Sequence, residues 1–173
     1  MTDGYDAAHE QRNWLERLGD KIPGFRGYLE KEMRREVDKI QRDWLAAQVD
    51  RARDALGAHI RNWSRRGNLE VLDLAGSADK ALDRLANRIR HADYGYSGFF
   101  DAVKIREEQL ERLYAFDLGF SEAAENLATR IESLPSDATE PALLSLVDAV
   151  EEADRKLDER AQVVENITVT GGR

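Results

Sequence analysis

Between Pro23 and Pro135 the chain contains no proline, and Pro141 is the only other one in its 173 residues. A backbone free of proline over that span can hold helices as long as its apolar pattern supports. The pattern is most regular over 99–134. There Phe99, Val103, Arg106, Leu110, Leu113, Asp117, Phe120, Ala124, Leu127, Ile131 and Leu134 step by four and three residues in strict alternation. Such steps keep one seam of a helix against its partners and predict a left-handed bundle or coiled-coil packing. Two members of the seam, Arg106 and Asp117, are charged, and Asp154 stands on the corresponding seam of the last helix. A buried charge left alone costs about 3–5 kcal/mol. Each of the three is therefore expected to meet an opposite charge or a hydrogen-bonding aromatic across the seam, or to lie where the seam is open.

The remaining stretches follow the same period between recognisable breakers. Residues 3–19 read as a short helix capped by Asp3 and closed by Gly19, with apolar tracks through Tyr5, Ala8, Leu15 and Leu18 and through Ala7, Trp14 and Leu18. Pro23-Gly24 makes the first turn. A long helix then spans about 27–66, with Met33, Val37, Ile40, Trp44, Leu45, Val49, Ala52, Leu56, Ile60 and Trp63 turned inward. Gly67 suits its C-cap and Asn68 the N-cap of the next helix, about 69–92, which carries Leu69, Leu72, Ala75, Leu82, Leu85, Ile89 and Ala92 inward. Gly76-Ser77 marks a kink or short break there. Helices over 99–134 and 140–165 follow, the last with Thr139 as a possible cap, Pro141 in its first turn, and Leu143, Val147, Val150, Asp154, Leu157, Ala161 and Val164 inward. The β-prone ending 166–173 reads as a frayed, flexible tail. Together these predict an all-α chain: one domain over 1–165, an antiparallel helical bundle with two or more long helices and an aromatic inter-helix turn.

Composition limits the function classes. A formal charge of -8 opposes nonspecific nucleic-acid binding. No cysteine is present, which removes disulfides and thiolate metal sites and agrees with a reducing, cytoplasmic setting. The start of the chain lacks the pattern of a secretory signal, and no run of 18 apolar residues spans a bilayer. The charge is uneven. Residues 26–66 hold 11 Lys/Arg against 7 Asp/Glu, whereas 137–165 hold 9 acidic and 3 basic residues. The simplest expectation is that these two helices pack as neighbours; the alternative is an open basic face for an acidic partner or an anionic lipid surface. No catalytic, cofactor-binding or metal-ligating constellation stands out, so the chain reads as a non-enzyme. A carboxylate-metal bundle wants Glu-x-x-His on two helices, and the nearest spacing, Asp6 with His9, lies on the short terminal helix.

The candidate interaction site is the stretch Asp93–Asp101, where Tyr94, Tyr96, Phe99 and Phe100 interleave with Gly95 and Gly98. The glycines allow a tight turn, Ser97 can cap the helix that follows, and Asp101 in the first turn complements its dipole. Rings so grouped either seal the tip of a bundle or form a recognition patch with a polar rim that includes Asp101 and Lys104. Phe25 and Tyr28 of the first turn would join them. The blocks Ile22–Tyr28 and Tyr94–Lys104 resemble those of a family of small all-helical prokaryotic proteins without an established activity, which carry the two blocks in this order separated by a long charged helix. The resemblance covers about 20–135 and implies that the two turns belong together at one end of the bundle. The expected role is protein interaction or self-association through the aromatic end, with no nucleic acid. The alternative is peripheral attachment to an anionic membrane surface through the basic 26–66 helix.

Overall fold

A computed structural model describes residue 20 and residues 34–92, 107–137 and 139–171. It is all-helical there: α1 is Arg34–Arg65, α2 is Leu72–Arg90, α3 is Glu107–Glu132 and α4 is Glu140–Gly171. No strand occurs among the described residues. The expected helix 3–19, the start of the 27–66 helix and the first turns of the 99–134 helix lie outside the described residues.

Each helix follows its apolar period. In α1 the buried side chains Leu45, Val49, Ala52 and Leu56 return every three or four residues and Trp63 follows seven later, with Ala46 beside the stripe, while Ala75, Ala78, Leu82, Leu85 and Ile89 step by three and four in α2. In α3 the predicted seam is the buried seam: Asp117, Phe120, Ala124, Leu127 and Ile131 all leave water. Residues of all four helices contribute to one hydrophobic core.

The turn between α1 and α2 closes as its glycine requires. Gly67 has φ +76°, its N–H donates to the Ser64 carbonyl at 3.1 Å, and the Asn68 N–H donates to the Trp63 carbonyl at 3.0 Å. This pair of bonds is the Schellman closure, which satisfies carbonyls that the end of a helix leaves open. It also moves the start of α2. The Leu72 N–H donates to the Leu69 carbonyl and the helix begins at Leu72 after Val71, whose side chain makes no cap, so Asn68 stands three residues ahead of the N-cap position expected of it. Leu69 consequently stands outside the helix and is 66 % exposed, against the expectation that it turns inward. Nor does Gly76-Ser77 break α2: the helix runs through both, with the Ser77 hydroxyl donating back to the Asp73 carbonyl at 3.0 Å.

Two further expectations fail for geometric reasons. Ile40 is 42 % exposed, while its neighbours Gln41 and Arg42 are buried. Helix α1 packs against both α2 and α3, and it is Arg42, not Ile40, that reaches α2 there, through the Arg90 carbonyl. At the other terminus α4 continues to Gly171 where a frayed tail is expected. The β-branched residues there cost a helix only tenths of a kcal/mol each, about 0.7 at most, and the ladder stops at the glycine.

The four helices form a square in which α1 touches α2 and α3, and α4 touches α2 and α3. Hairpins α1/α2 and α3/α4 are each antiparallel. Their short turns lie at the same end, joined by an ion pair from Arg66 Nη1 to Asp137 Oδ1 at 3.3 Å. Parallel neighbours result, α1 beside α3 and α2 beside α4, and the diagonals are α1–α4 and α2–α3. The basic and acidic helices are therefore not the packed neighbours that charge alone suggests.

Truncating the core should be costly and truncating the turn should not. Leu82→Ala, at a fully buried position, is expected to lower the unfolding free energy by about 2–5 kcal/mol. Leu69→Ala should change it by no more than about 0.5 kcal/mol. Urea denaturation of both variants measures the contrast.

Candidate functional site

The aromatic candidates Phe25, Tyr28, Tyr94, Tyr96, Phe99 and Phe100, with Asp101, Lys104 and the seam residue Arg106, lie outside the described residues. What the structure does locate is the polar part of the seam. Asp117 of α3 is 1 % exposed and faces Arg160 of α4, itself 5 % exposed. The guanidinium engages the carboxylate side-on, Nε to Oδ1 and Nη2 to Oδ2, the second bond at 3.2 Å. The opposite charge expected across from Asp117 is present.

Its partner is the residue that reading for apolarity passes over. The buried face of α4 runs Leu143, Leu146, Val150, Ala153, Leu157, Arg160, Val164, stepping three and four without interruption. Ala161, expected inward, is exposed. Keeping the period strict and accepting a charged residue on it would have found Arg160. Asp154 lies beside this stripe and is half-buried; it pairs with Arg88 of α2, which also holds Asp158. Burial lowers the Arg88 pKa, but its bonds to Asp158 and Asp154 outweigh that and raise it overall.

A second ionic group joins α1 to α2. Arg53 donates from Nε to Asp79 at 2.9 Å and from Nη1 to Asp83 at 2.5 Å, while Arg90 of α2 reaches back to Asp50. The bond to Asp79 is the largest influence on Arg53 and raises its pKa against a smaller effect of burial. These pairs are half-exposed, and such pairs contribute about 0–1 kcal/mol each. Arg42 does something different. Its Nη1 donates to the Arg90 carbonyl at 2.6 Å, satisfying an open carbonyl at the C-terminus of α2 and placing positive charge at the negative end of that helix. Beside it both amide atoms of Gln41 are buried with no hydrogen-bond partner. Trp63 is also buried with its indole Nε1 unpartnered, its ring stacked on His59 at 5.4 Å between centroids.

Chemically, each of these polar clusters joins helices. No three His, Asp or Glu side chains converge on a metal-sized space among the described residues. On the outer surface α3 and α4 leave a groove of about 310 Å³ over Gly119, Ala123, Leu127, Ala149 and Ala153. Glu122, Arg130, Glu152 and Lys156 stand along it, the last two paired at 3.5 Å one turn apart on α4.

Breaking the buried pair should cost more than removing it. Arg160→Met alone leaves a carboxylate buried without its cation and is expected to destabilise the fold by about 3–5 kcal/mol. Replacing both, Asp117→Leu with Arg160→Met, should recover most of that loss. Denaturation of the two single variants and the double variant, read as a double-mutant cycle, decides it.

Comparison with known proteins adds no relative: no protein-family model, curated protein or solved structure matches the chain.

Proposed function

We propose that the chain is a cytoplasmic helical-bundle protein that acts through protein–protein contact, its bundle serving as a rigid support for the aromatic stretch Tyr94–Asp101. In this reading it belongs with the small all-helical proteins that its two aromatic blocks resemble. One observation carries the proposal. Helices α2 and α3 occupy a diagonal, and α2 ends at the same end of the bundle at which α3 begins. The two helices that flank residues 93–106 in sequence therefore each present a terminus at that end, opposite the end where the short turns after α1 and α3 lie. A stretch with four large rings, flanked in sequence by two packed helices, is suited to offer contact area at small entropic cost. Replacing Tyr94 and Phe99 together by alanine is expected to abolish capture of specific partners in native pull-downs while leaving the melting curve unchanged. A variant that loses its fold, or one that keeps its partners, counts against the proposal.

A second reading is favoured by the outer face of α1, where Lys39, Arg51, Arg61 and Arg65 are exposed against the acids Asp43 and Asp54. No described helix is long and apolar enough to cross a membrane, so attachment by this face would be peripheral. It requires binding to vesicles containing phosphatidylserine that weakens steeply as salt rises, since surface charge is screened beyond roughly 10 Å at 0.1 M. Co-sedimentation at low and high salt tests it, and equal recovery at both would exclude it.

A further inference from the structure

Helices α1 and α4 stand on a diagonal of the square, so the outer stripe of each faces away from the other. On α1 that stripe is Ala47, Arg51, Asp54, Ala58, Arg61 and Arg65, all exposed and spaced by four and three residues. On α4 it is Leu144, Asp148, Glu151, Arg155, Glu159 and Gln162, exposed and also spaced by three or four. Whereas Arg53, Arg88 and Arg90 are held by aspartates of neighbouring helices, these stripes leave their charges unanswered. Arg51, Asp54, Arg61, Asp148, Arg155 and Glu159 enter no ion pair among the described residues. Arg155 stands one turn from Glu151 and one turn from Glu159, the spacing at which Lys156 holds Glu152, and joins neither. The two stripes are complementary in sign. Laid antiparallel with Arg61 against Asp148, they bring Asp54 level with Arg155 and Arg51 beside Glu159, while Ala58 faces Glu151 and Ala47 faces Gln162. No like charges are level in that register. A shift of one turn in either direction sets Asp54 against Glu151 or against Asp158, so the alignment is distinguished from its neighbours by repulsion as well as attraction.

From this complementarity we infer that the outer stripe of α4 seats the outer stripe of α1 from a second copy of this chain. Within one copy α1 and α4 run antiparallel. Antiparallel seating across the contact therefore sets the second copy side by side with the first, with the turn ends pointing the same way. The contact joins two different surfaces and is heterologous, so each pair keeps one α1 stripe and one α4 stripe open for further copies. It is also small. The stripes span 19 residues each, 47–65 and 144–162. That is about 28 Å of helix at roughly 10 Å width, or roughly 300 Å² per copy, against about 800 Å² in a stable complex. The association is accordingly weak and reversible, and its reliance on exposed charge makes it strongest at low salt.

The contact uses no residue of the stretch 94–101, so Tyr94→Ala/Phe99→Ala leaves it as it is and the two proposals fail separately. Attachment to vesicles would use the basic residues of α1 alone. Arg155→Asp leaves α1 untouched, so it should lower self-association and leave any vesicle binding unchanged. Sedimentation equilibrium of the full chain tests the contact. At roughly 1 mM protein, as suits so small an interface, and about 20 mM salt, the mean mass of the wild type is expected to exceed the 19.7 kDa of the chain. It should return to that value at about 0.5 M salt. Asp54→Arg and Arg155→Asp should each weaken the association at least about threefold. The first does so although it brings the net charge of -8 closer to zero, which by itself favours nonspecific association. Mixed in equal amounts, the two variants again place opposite charges at that level in both contacts, and the association should return. A wild type that keeps the monomer mass at low salt overturns the inference, whether or not it binds vesicles or other proteins. So does an association that either variant leaves unchanged, or a mixture that stays monomeric.

Discussion

Two charges withdrawn from water hold the α3/α4 hairpin in a single register. An apolar seam that repeats every seven residues fits its partner nearly as well after a slip of one heptad. Here such a slip would carry Arg160 from Asp117 to Leu110 or Ala124, and Asp117 from Arg160 to Ala153 or Ile167. Both charges would then lie beside carbon, at a cost of several kcal/mol, on the order of 3–5 for each lost partner. The pair adds little stability relative to a well-packed apolar pair; its effect is to make every other alignment worse. The positions of the α4 carboxylates relative to α2, and the shape of the outer groove, depend on that alignment.

The other half of the molecule is held differently. The buried faces of α1 and α2 are rich in alanine, with Ala46 and Ala52 on one helix and Ala75, Ala78, Ala81 and Ala86 on the other. Small side chains allow the two backbones to lie close and leave few large groups to specify alignment. Directional contacts therefore come from arginines at the margins, where Arg53 spans Asp79 and Asp83 and Arg42 closes the end of α2. Helix α2 is the electrostatic intermediary of the bundle. Its aspartates answer the basic α1, its Arg88 answers the acidic α4, and the two unbalanced helices stay on a diagonal.

Much of this is legible in the sequence where one rule acts alone. The α3 seam can be read residue by residue because a strict four–three step admits Asp117 as readily as Leu127. Helix α4 is misread at one place, where apolar character prefers Ala161 and the period requires Arg160. Helix α1 is legible from Trp44 onward and misread at Ile40, since the adjacent Gln41 and Arg42 are buried by neighbours whose identity depends on the topology. Leu69 is hydrophobic and helix-prone, but the two backbone bonds around Gly67 decide where α2 starts, and side-chain pattern carries no information about them. Which helices touch is the least legible of all. Net charge suggests α1 against α4, whereas α1 packs on α2 and α3 and α4 on α2 and α3, leaving α1 and α4 on a diagonal.

The side-by-side setting of the hairpins also bears on how the chain reaches its native state. Each hairpin is closed by a turn of only a few residues, so α1 finds α2 and α3 finds α4 through contacts close in sequence. Chains whose contacts are this local collapse and order in microseconds to milliseconds. Contacts on the α1/α3 and α2/α4 faces join residues far apart in sequence, so they carry a loop-closure cost that the contacts within either hairpin largely escape.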